Sequence, residues 1–180
     1  MKRFFGALTL AITLGFFGTC PAQAGYKIFM QVSGIAGEST DENHKGWIDL
    51  ASFSHGLSNA SAGSLSGGKV SHADFVVGKR LDKSSLPINL KLNQGSHIPS
   101  VVVEFQTAVG VNKLVFYRVT MTDAVFTSKR EAGTEGDASI SETCSLTYKK
   151  IVWEYWPIDG SGKLGPVVRS EWDISKNSGG

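Results

Sequence analysis

Between Ile140 and Tyr148 apolar positions alternate with hydroxyls: Ile140, Cys144, Leu146 and Tyr148 against Ser141, Thr143, Ser145 and Thr147. A period of two is a strand with one face toward a core and one toward water. After Lys149-Lys150 the apolar positions become Ile151, Trp153 and Tyr155, a change of parity by one residue. A tight turn or a β-bulge at the lysine pair keeps both halves on one core. Two lysines lack the Gly, Asn or Asp of a two-residue hairpin turn, which favours the bulge and one long bent strand. The stretch holding Trp153, Tyr155 and Trp156 is too apolar to stand uncovered. It needs shelter from the rest of the chain or from a second copy.

The same texture recurs along the chain. Tyr26 to Val32, Trp47 to Phe53, Val70 to Lys79, Ser100 to Gln106, Leu114 to Phe126 and Val167 to Trp172 read as strands between Gly-rich turns. Leu114 to Phe126 is apolar on both faces in its middle, as a central strand is. One helix interrupts the pattern. Asp82-Lys83-Ser84-Ser85-Leu86-Pro87 offers a capping hydroxyl and an early proline, and Leu86 and Leu90, with Ile88 or Leu92, supply its apolar stripe. Gly95 ends it. The expectation is a mainly β fold, a barrel or sandwich with one short flanking helix. Between the second and third strands, Gly56 to Gly68 shows no element pattern and is longer than an ordinary hairpin loop, so it is either disordered or docked on a partner.

The N-terminus changes the charge argument. Lys2-Arg3, an apolar run from Phe4 to Phe17 and the small-x-small triplet Ala22-Gln23-Ala24 have the form of a secretory signal peptide cleaved after Ala24. The run is shorter than the ~20 residues a spanning helix needs. Residues 1–24 are therefore read as leader and residues 25–180 as one domain, secreted or periplasmic, with no membrane insertion after cleavage. Of the 18 basic residues, Lys2 and Arg3 leave with the leader, so 16 remain against 16 acidic ones. The pI of 8.5 then largely reflects the leader, and no basic patch invites nucleic acid. Cleavage leaves Cys144 alone, a buried hydrophobe by its place on the apolar side of its strand.

Chemistry is sparse. His44, His55, His72 and His97 lie in different segments without metal-ligand spacing and read as surface or partner-contact residues. Gly63-Ser64-Leu65-Ser66-Gly67 has leucine where a nucleophile elbow needs serine, and Asp159-Gly160-Ser161-Gly162-Lys163 lacks the carboxylates of a calcium loop. Carboxylates occur singly, and alternation turns Glu154 away from the rings of Trp153 and Tyr155. No catalytic residue, cofactor or metal is expected.

Three motifs point further. The first runs Ile35-Ala36-Gly37-Glu38-Ser39-Thr40-Asp41, then His44-Lys45-Gly46-Trp47-Ile48-Asp49, to Ser52-Phe53-Ser54-His55-Gly56. The second is Gly68-Lys69-Val70-Ser71 with Asp74-Phe75, Lys79 and Asp82-Lys83-Ser84-Ser85. The third is Lys150-Ile151-Val152-Trp153-Glu154-Tyr155 with Gly165-Pro166-Val167 and Trp172-Asp173. In this order and spacing the chain resembles the Hcp family, the haemolysin-coregulated proteins that form the inner tube of type VI secretion systems. The resemblance implies a β-barrel of two antiparallel sheets with one flanking helix, related in design to phage tail-tube proteins. It also implies hexameric rings stacked into a tube, small effector proteins in the lumen, and spike and sheath proteins as neighbours. It places the Gly56–Gly68 loop against an adjacent ring or subunit, through Leu57, Ser58, Asn59, Ala60, Ser61, Ala62, Ser64 and Leu65. Trp47, Trp153, Tyr155 and Trp172 become structural motif residues. The leader is a departure, because the tube proteins of the family assemble in the cytoplasm. The competing reading is a monomeric secreted module binding carbohydrate or peptide on a platform of Trp153, Trp156 and Trp172.

Overall fold

The computed structural model describes residues 25–59 and 70–180. The leader, and Ala60, Ser61, Ala62, Ser64 and Leu65 of the long loop, lie outside the described residues. In chain order the elements are β1 (Tyr26–Val32), β2 (Ile48–Ser54), β3 (Leu57–Asn59), β4 (Val70–His72), β5 (Phe75–Arg80), α1 (Ser85–Gln94), β6 (Ile98–Val109), β7 (Asn112–Ala132), β8 (Ser141–Thr147), β9 (Lys150–Tyr155), β10 (Val168–Asp173) and β11 (Ser178–Gly179). Six antiparallel strands, in the order β7-β6-β1-β2-β5-β8 and back to β7, close a barrel. Strands β9, β10 and β11 extend as a wing from the first half of β7, and β3 with β4 forms a separate two-stranded ribbon. Closure leaves these six strands with no free edge where the ladders meet.

The barrel interior is aliphatic and aromatic: Met30, Ile48, Val77, Val101, Val103, Met121 and Leu146 are fully buried, with Phe75 and Phe105 nearly so. The expected long strand β7 is central, pairing with β6 on one edge and with both β9 and β8 on the other. The segment read as a single strand from Val70 to Lys79 is instead β4 and β5, broken at Ala73-Asp74, because β4 belongs to the ribbon and β5 to the barrel.

The bulge expected at Lys149-Lys150 is absent. Strands β8 and β9 are separated by Tyr148 and Lys149, and the pairs Val125↔Thr147 and Thr122↔Lys150 are equally spaced on both partners. The change of face is shared. Along β7 the buried positions pass from Val119 and Met121 to Ala124 and Phe126, as opposite them they pass from Ile151 to Tyr148 and Leu146. Asp123, at φ 53°, marks the corner, and the Lys149 N–H reaches the Thr122 carbonyl at 3.1 Å. The paired backbones turn the corner together, which reverses the buried parity on both without disturbing their register. The bulge in this ladder lies beyond the corner, between Phe126 and Ser128.

Helix α1 ends on Gly95 at φ 57°, as expected, but its apolar stripe is not the expected one. Ile88 is buried and Leu92 packs on the core, whereas Leu86 is 73% and Leu90 57% exposed. Ser84 makes no side-chain cap; its N–H and hydroxyl both bond to Asp82 Oδ1 instead. An ion cluster seats the helix. Lys79 Nζ lies 2.7 Å from Glu142 Oε2 and 2.8 Å from Asp82, and the Ser85 hydroxyl donates to the same Glu142 oxygen at 2.7 Å. Lys129 Nζ is 2.8 Å from Glu142 Oε1 but off the hydrogen-bonding direction, so that contact is ionic.

Candidate functional site

The first motif forms a strap over the outer face of the β1–β6 pair. Alternation sends Phe29 and Glu104 outward, opposite the barrel core, and His44 covers them. Its ring stacks on Phe29, with centroids 4.1 Å apart at 5°, and the Trp47 indole meets it edge-on at 4.9 Å. His44 Nδ1 is 3.1 Å from Asp41 Oδ1 and Nε2 is 2.8 Å from Glu104 Oε2. Gly37 explains the tight path of the strap. Its N–H donates to the Gly46 carbonyl at 2.8 Å, and a Cβ there would lie 2.1 Å from the Trp47 carbonyl oxygen. Burial pushes the Asp41 carboxyl up, yet hydrogen bonds from Lys113, His44, the Asn43 N–H and Gln106 outweigh it and hold the group well below the usual carboxylate range.

From Glu104 a row of alternating charge crosses the sheet. Arg118 Nε donates to Glu104 at 2.6 Å, Arg118 Nη1 lies 3.5 Å from Glu154, and its guanidinium sits 5.2 Å over the Trp156 ring. Cross-strand register makes the row, since Glu104 faces Arg118 and Arg118 faces Glu154. Glu154 thus points away from Trp153, as alternation requires.

On the barrel side of the wing stands a second cluster. Trp153 and Trp172 both stack on His72, at 6.4 and 6.5 Å between centroids. The Tyr148 hydroxyl meets His55 Nε2 at 2.5 Å and His72 Nδ1 at 3.0 Å. His55 also lies 5.5 Å from the Phe75 ring. These side chains gather where the β3–β4 ribbon leaves the barrel. On the ribbon, Leu57, Ser58 and Asn59 face His72, Ser71 and Val70 in that order, and Leu57 is 54% exposed.

Of the sequence-predicted motif residues, Trp153 and Trp172 converge on one histidine, Trp47 belongs to the strap, and Tyr155 is exposed beside Val168. The tryptophan platform is not formed, because Trp156 stacks under Arg118 on the opposite face from Trp153. Three histidines correct their surface reading, His44 being buried and His55 and His72 tied to Tyr148, while His97 is exposed beside Asp123 as expected. The Asp41-x-x-His44 spacing was a visible local signal for the first. Nothing in the sequence joins His55 to Tyr148, 93 residues away. Carboxylates also converge where single ones were expected, Asp41 and Glu104 on His44, Glu104 and Glu154 on Arg118. Cys144 is buried as expected, and its thiol is pushed up to about 11 by burial and then by Glu142. Among the described residues no group of three His, Cys, Asp or Glu could hold a metal ion.

Exposed apolar side chains also lie toward the two ends of β7. Near Tyr117, Tyr155 pairs with Val168, and Val167, Val168 and Leu164 are exposed. Near Lys129, whose Nζ donates to the Ser85 carbonyl, α1 presents Leu86 and Leu90.

Comparison with known proteins agrees with this geometry. The family model for the type VI secretion system effector Hcp matches residues 29–155, a span holding the strap, the ribbon and the corner. Protein hcp1 of Pseudomonas aeruginosa is 27% identical over 155 residues, covering 83% of this chain and 96% of that protein. Among solved structures, one described as a type six secretion system protein superposes with a TM-score of 0.81 at 29% identity, covering 87% of this chain and all of that one. Hcp1 from Salmonella typhimurium superposes with a TM-score of 0.73 at 25% identity, covering 86% and 99%. The chain belongs to the Hcp family, the tube proteins of type VI secretion.

Proposed function

We propose that the mature chain is a structural, non-enzymatic ring subunit. Six copies close head to tail, the rings stack into a tube, and the lumen accommodates small effector proteins, with spike and sheath proteins of a type VI apparatus as outer partners. The observation that carries this reading is the placement of exposed apolar side chains toward both ends of β7. A closed ring joins two different patches of neighbouring copies, unlike a two-fold dimer, which joins a patch to itself. Leu86 and Leu90 form one such patch; Tyr155, Val167 and Val168 form the other. At ~3.3 Å per residue, the stretch of β7 from Tyr117 to Lys129 holds them up to about 40 Å apart.

The ribbon supports a second contact. Leu57, Ser58 and Asn59 form its first strand, and the segment from Ala60 through Ser61, Ala62 and Ser64 to Leu65 is assigned to the neighbouring ring. The predicted leader assigns the assembly to the periplasm or exterior, with cleavage after Ala24. Native mass spectrometry of the exported protein, with sequencing of its first residues, tests both claims. Six-fold rings beginning at Gly25 are expected, and a strictly monomeric protein at high concentration overturns the ring. Replacing residues 60–66 by a short turn should leave single rings intact while shortening stacks in negative-stain images.

A further inference from the structure

Tyr148 has one hydroxyl proton and serves two histidines. With both imidazoles neutral the hydrogen-bond count closes: the phenol donates to one ring nitrogen and accepts an N–H from the other. The positions of the three residues give this a mechanical meaning. His55 follows β2 on the way into β3, and His72 ends β4, so one imidazole stands at each foot of the ribbon. The Ala73 N–H closes the foot on the Gly56 carbonyl at 2.9 Å. Tyr148 is buried in the corner between β8 and β9, so a single core side chain fastens both feet.

One added proton leaves the count closed, the cationic ring donating to the phenol and the neutral ring accepting from it, but protonation of both rings breaks it. Two N–H donors then converge on one phenolic oxygen, and the phenol proton needs a new acceptor. The rings packed around the pair offer none, since His72 lies against Trp153 and Trp172, and His55 against Phe75 and Trp153. Asp74, the acid whose charge bears on the phenol, is held on β7 by the Thr127 hydroxyl, which donates to its Oδ2 at 2.5 Å. A second proton would set two cations face to face with ring centroids 6.3 Å apart. Burial holds both imidazoles below the ordinary histidine range, and His72 lowers His55 further.

We propose that the His55–Tyr148–His72 linkage is an acid-labile fastening, which clamps the β3–β4 ribbon against the barrel side of the β9–β10 wing at neutral pH and releases it in mildly acidic surroundings. Release frees the imidazoles to take up protons at their ordinary range. Attachment is therefore at full strength above about pH 6.5 and weakens as pH falls below it. The inference concerns the protomer and holds whether or not rings form.

Hydrogen-exchange mass spectrometry on the intact protein at pH 7.5 and 5.0, corrected for intrinsic exchange, tests it. Peptides covering residues 57–59 and 70–72 should lose protection at least tenfold at the lower pH, while β6 peptides around Val103 keep theirs. In the His55→Gln/His72→Gln double variant the ribbon should exchange alike at both pH values. Tyr148→Phe should show at pH 7.5 the ribbon exchange that the parent shows at pH 5.0. Equal ribbon protection at both pH values in the parent overturns the proposal, as does an undiminished acid loss in the double variant or full protection in Tyr148→Phe.

Discussion

His44 Nε2 lies 2.8 Å from Glu104 Oε2, a bond that joins the strap of the first motif to the middle of β6. Replacing His44 by Ala removes one hydrogen-bond partner from each of two carboxylates, Asp41 and Glu104, whose side chains are 5% and 10% exposed, and unstacks Phe29. A hydrogen bond to a charged group is worth about 1.5–3 kcal/mol, so losing both costs several kcal/mol. Urea unfolding of His44→Ala should show a loss of that order with the barrel's cooperativity kept. A loss under ~1 kcal/mol would mean the strap is held by something else.

Gly37 has no room for a side chain, because the obstacle is the Trp47 carbonyl, a backbone atom that cannot swing away. Gly37→Ala should therefore destabilise by about 1–3 kcal/mol, the usual range for overpacking. An unchanged thermal midpoint would contradict the close approach.

At the corner, Asp123 adopts φ 53°, a left-handed conformation that β-branched residues tolerate poorly. Asp123→Val should cost roughly 1–2 kcal/mol more than Asp123→Gly in equilibrium denaturation. Equal stability of the two variants would show that the corner relaxes at no expense.

Acid sensitivity should arise in part from Asp41. Its folded carboxyl is held below the ordinary value near 3.9, so its contribution is fully present above that value and fades as pH falls through it. Glu142, also lowered, acts in the same direction: burial raises it, and Lys129, Lys79 and Ser85 more than reverse the effect. Between pH 6 and pH 3 the parent should lose more stability than Asp41→Asn, measured by urea midpoints at each pH. Parallel curves would exclude Asp41 as a contributor.

Head-to-tail closure makes a prediction about mixtures. Leu90→Asp and Val168→Asp each spoil one of the two patches, so each alone should run as a monomer in analytical ultracentrifugation. Mixed, they retain one intact pair of patches and should give dimers that grow no further. Larger species, or no dimer, would show that the ring uses other surfaces.

Much of the architecture was legible because alternation reports directly on burial. Strand β1 coincides with its expectation, and the central place of β7 followed from its two apolar faces. The corner was misread for a physical reason. A parity change in one strand looks identical whether one strand bulges or two fold together, and only the matching change at Met121 and Ala124 separates these cases. On α1, a stripe through Leu86 and Leu90 and one through Ile88 and Leu92 are equally helical in period, and the sequence carries no sign of which faces the barrel. The histidine cluster was invisible because its partners meet only after the barrel closes. The tryptophans were recognised as needing shelter, but their company, a histidine at the foot of the ribbon, depends on register between distant strands.

Closure of the barrel also governs the order in which this chain can acquire its shape. The last strand to seal it, β8, must find β5 on one edge and β7 on the other, and the wing strand β9 then settles beside it on β7. A polypeptide emerging from its N-terminus therefore carries open edges on β5 and β7 until Ser141–Thr147 has followed. Such late, long-range pairing folds slowly and leaves sticky intermediates exposed.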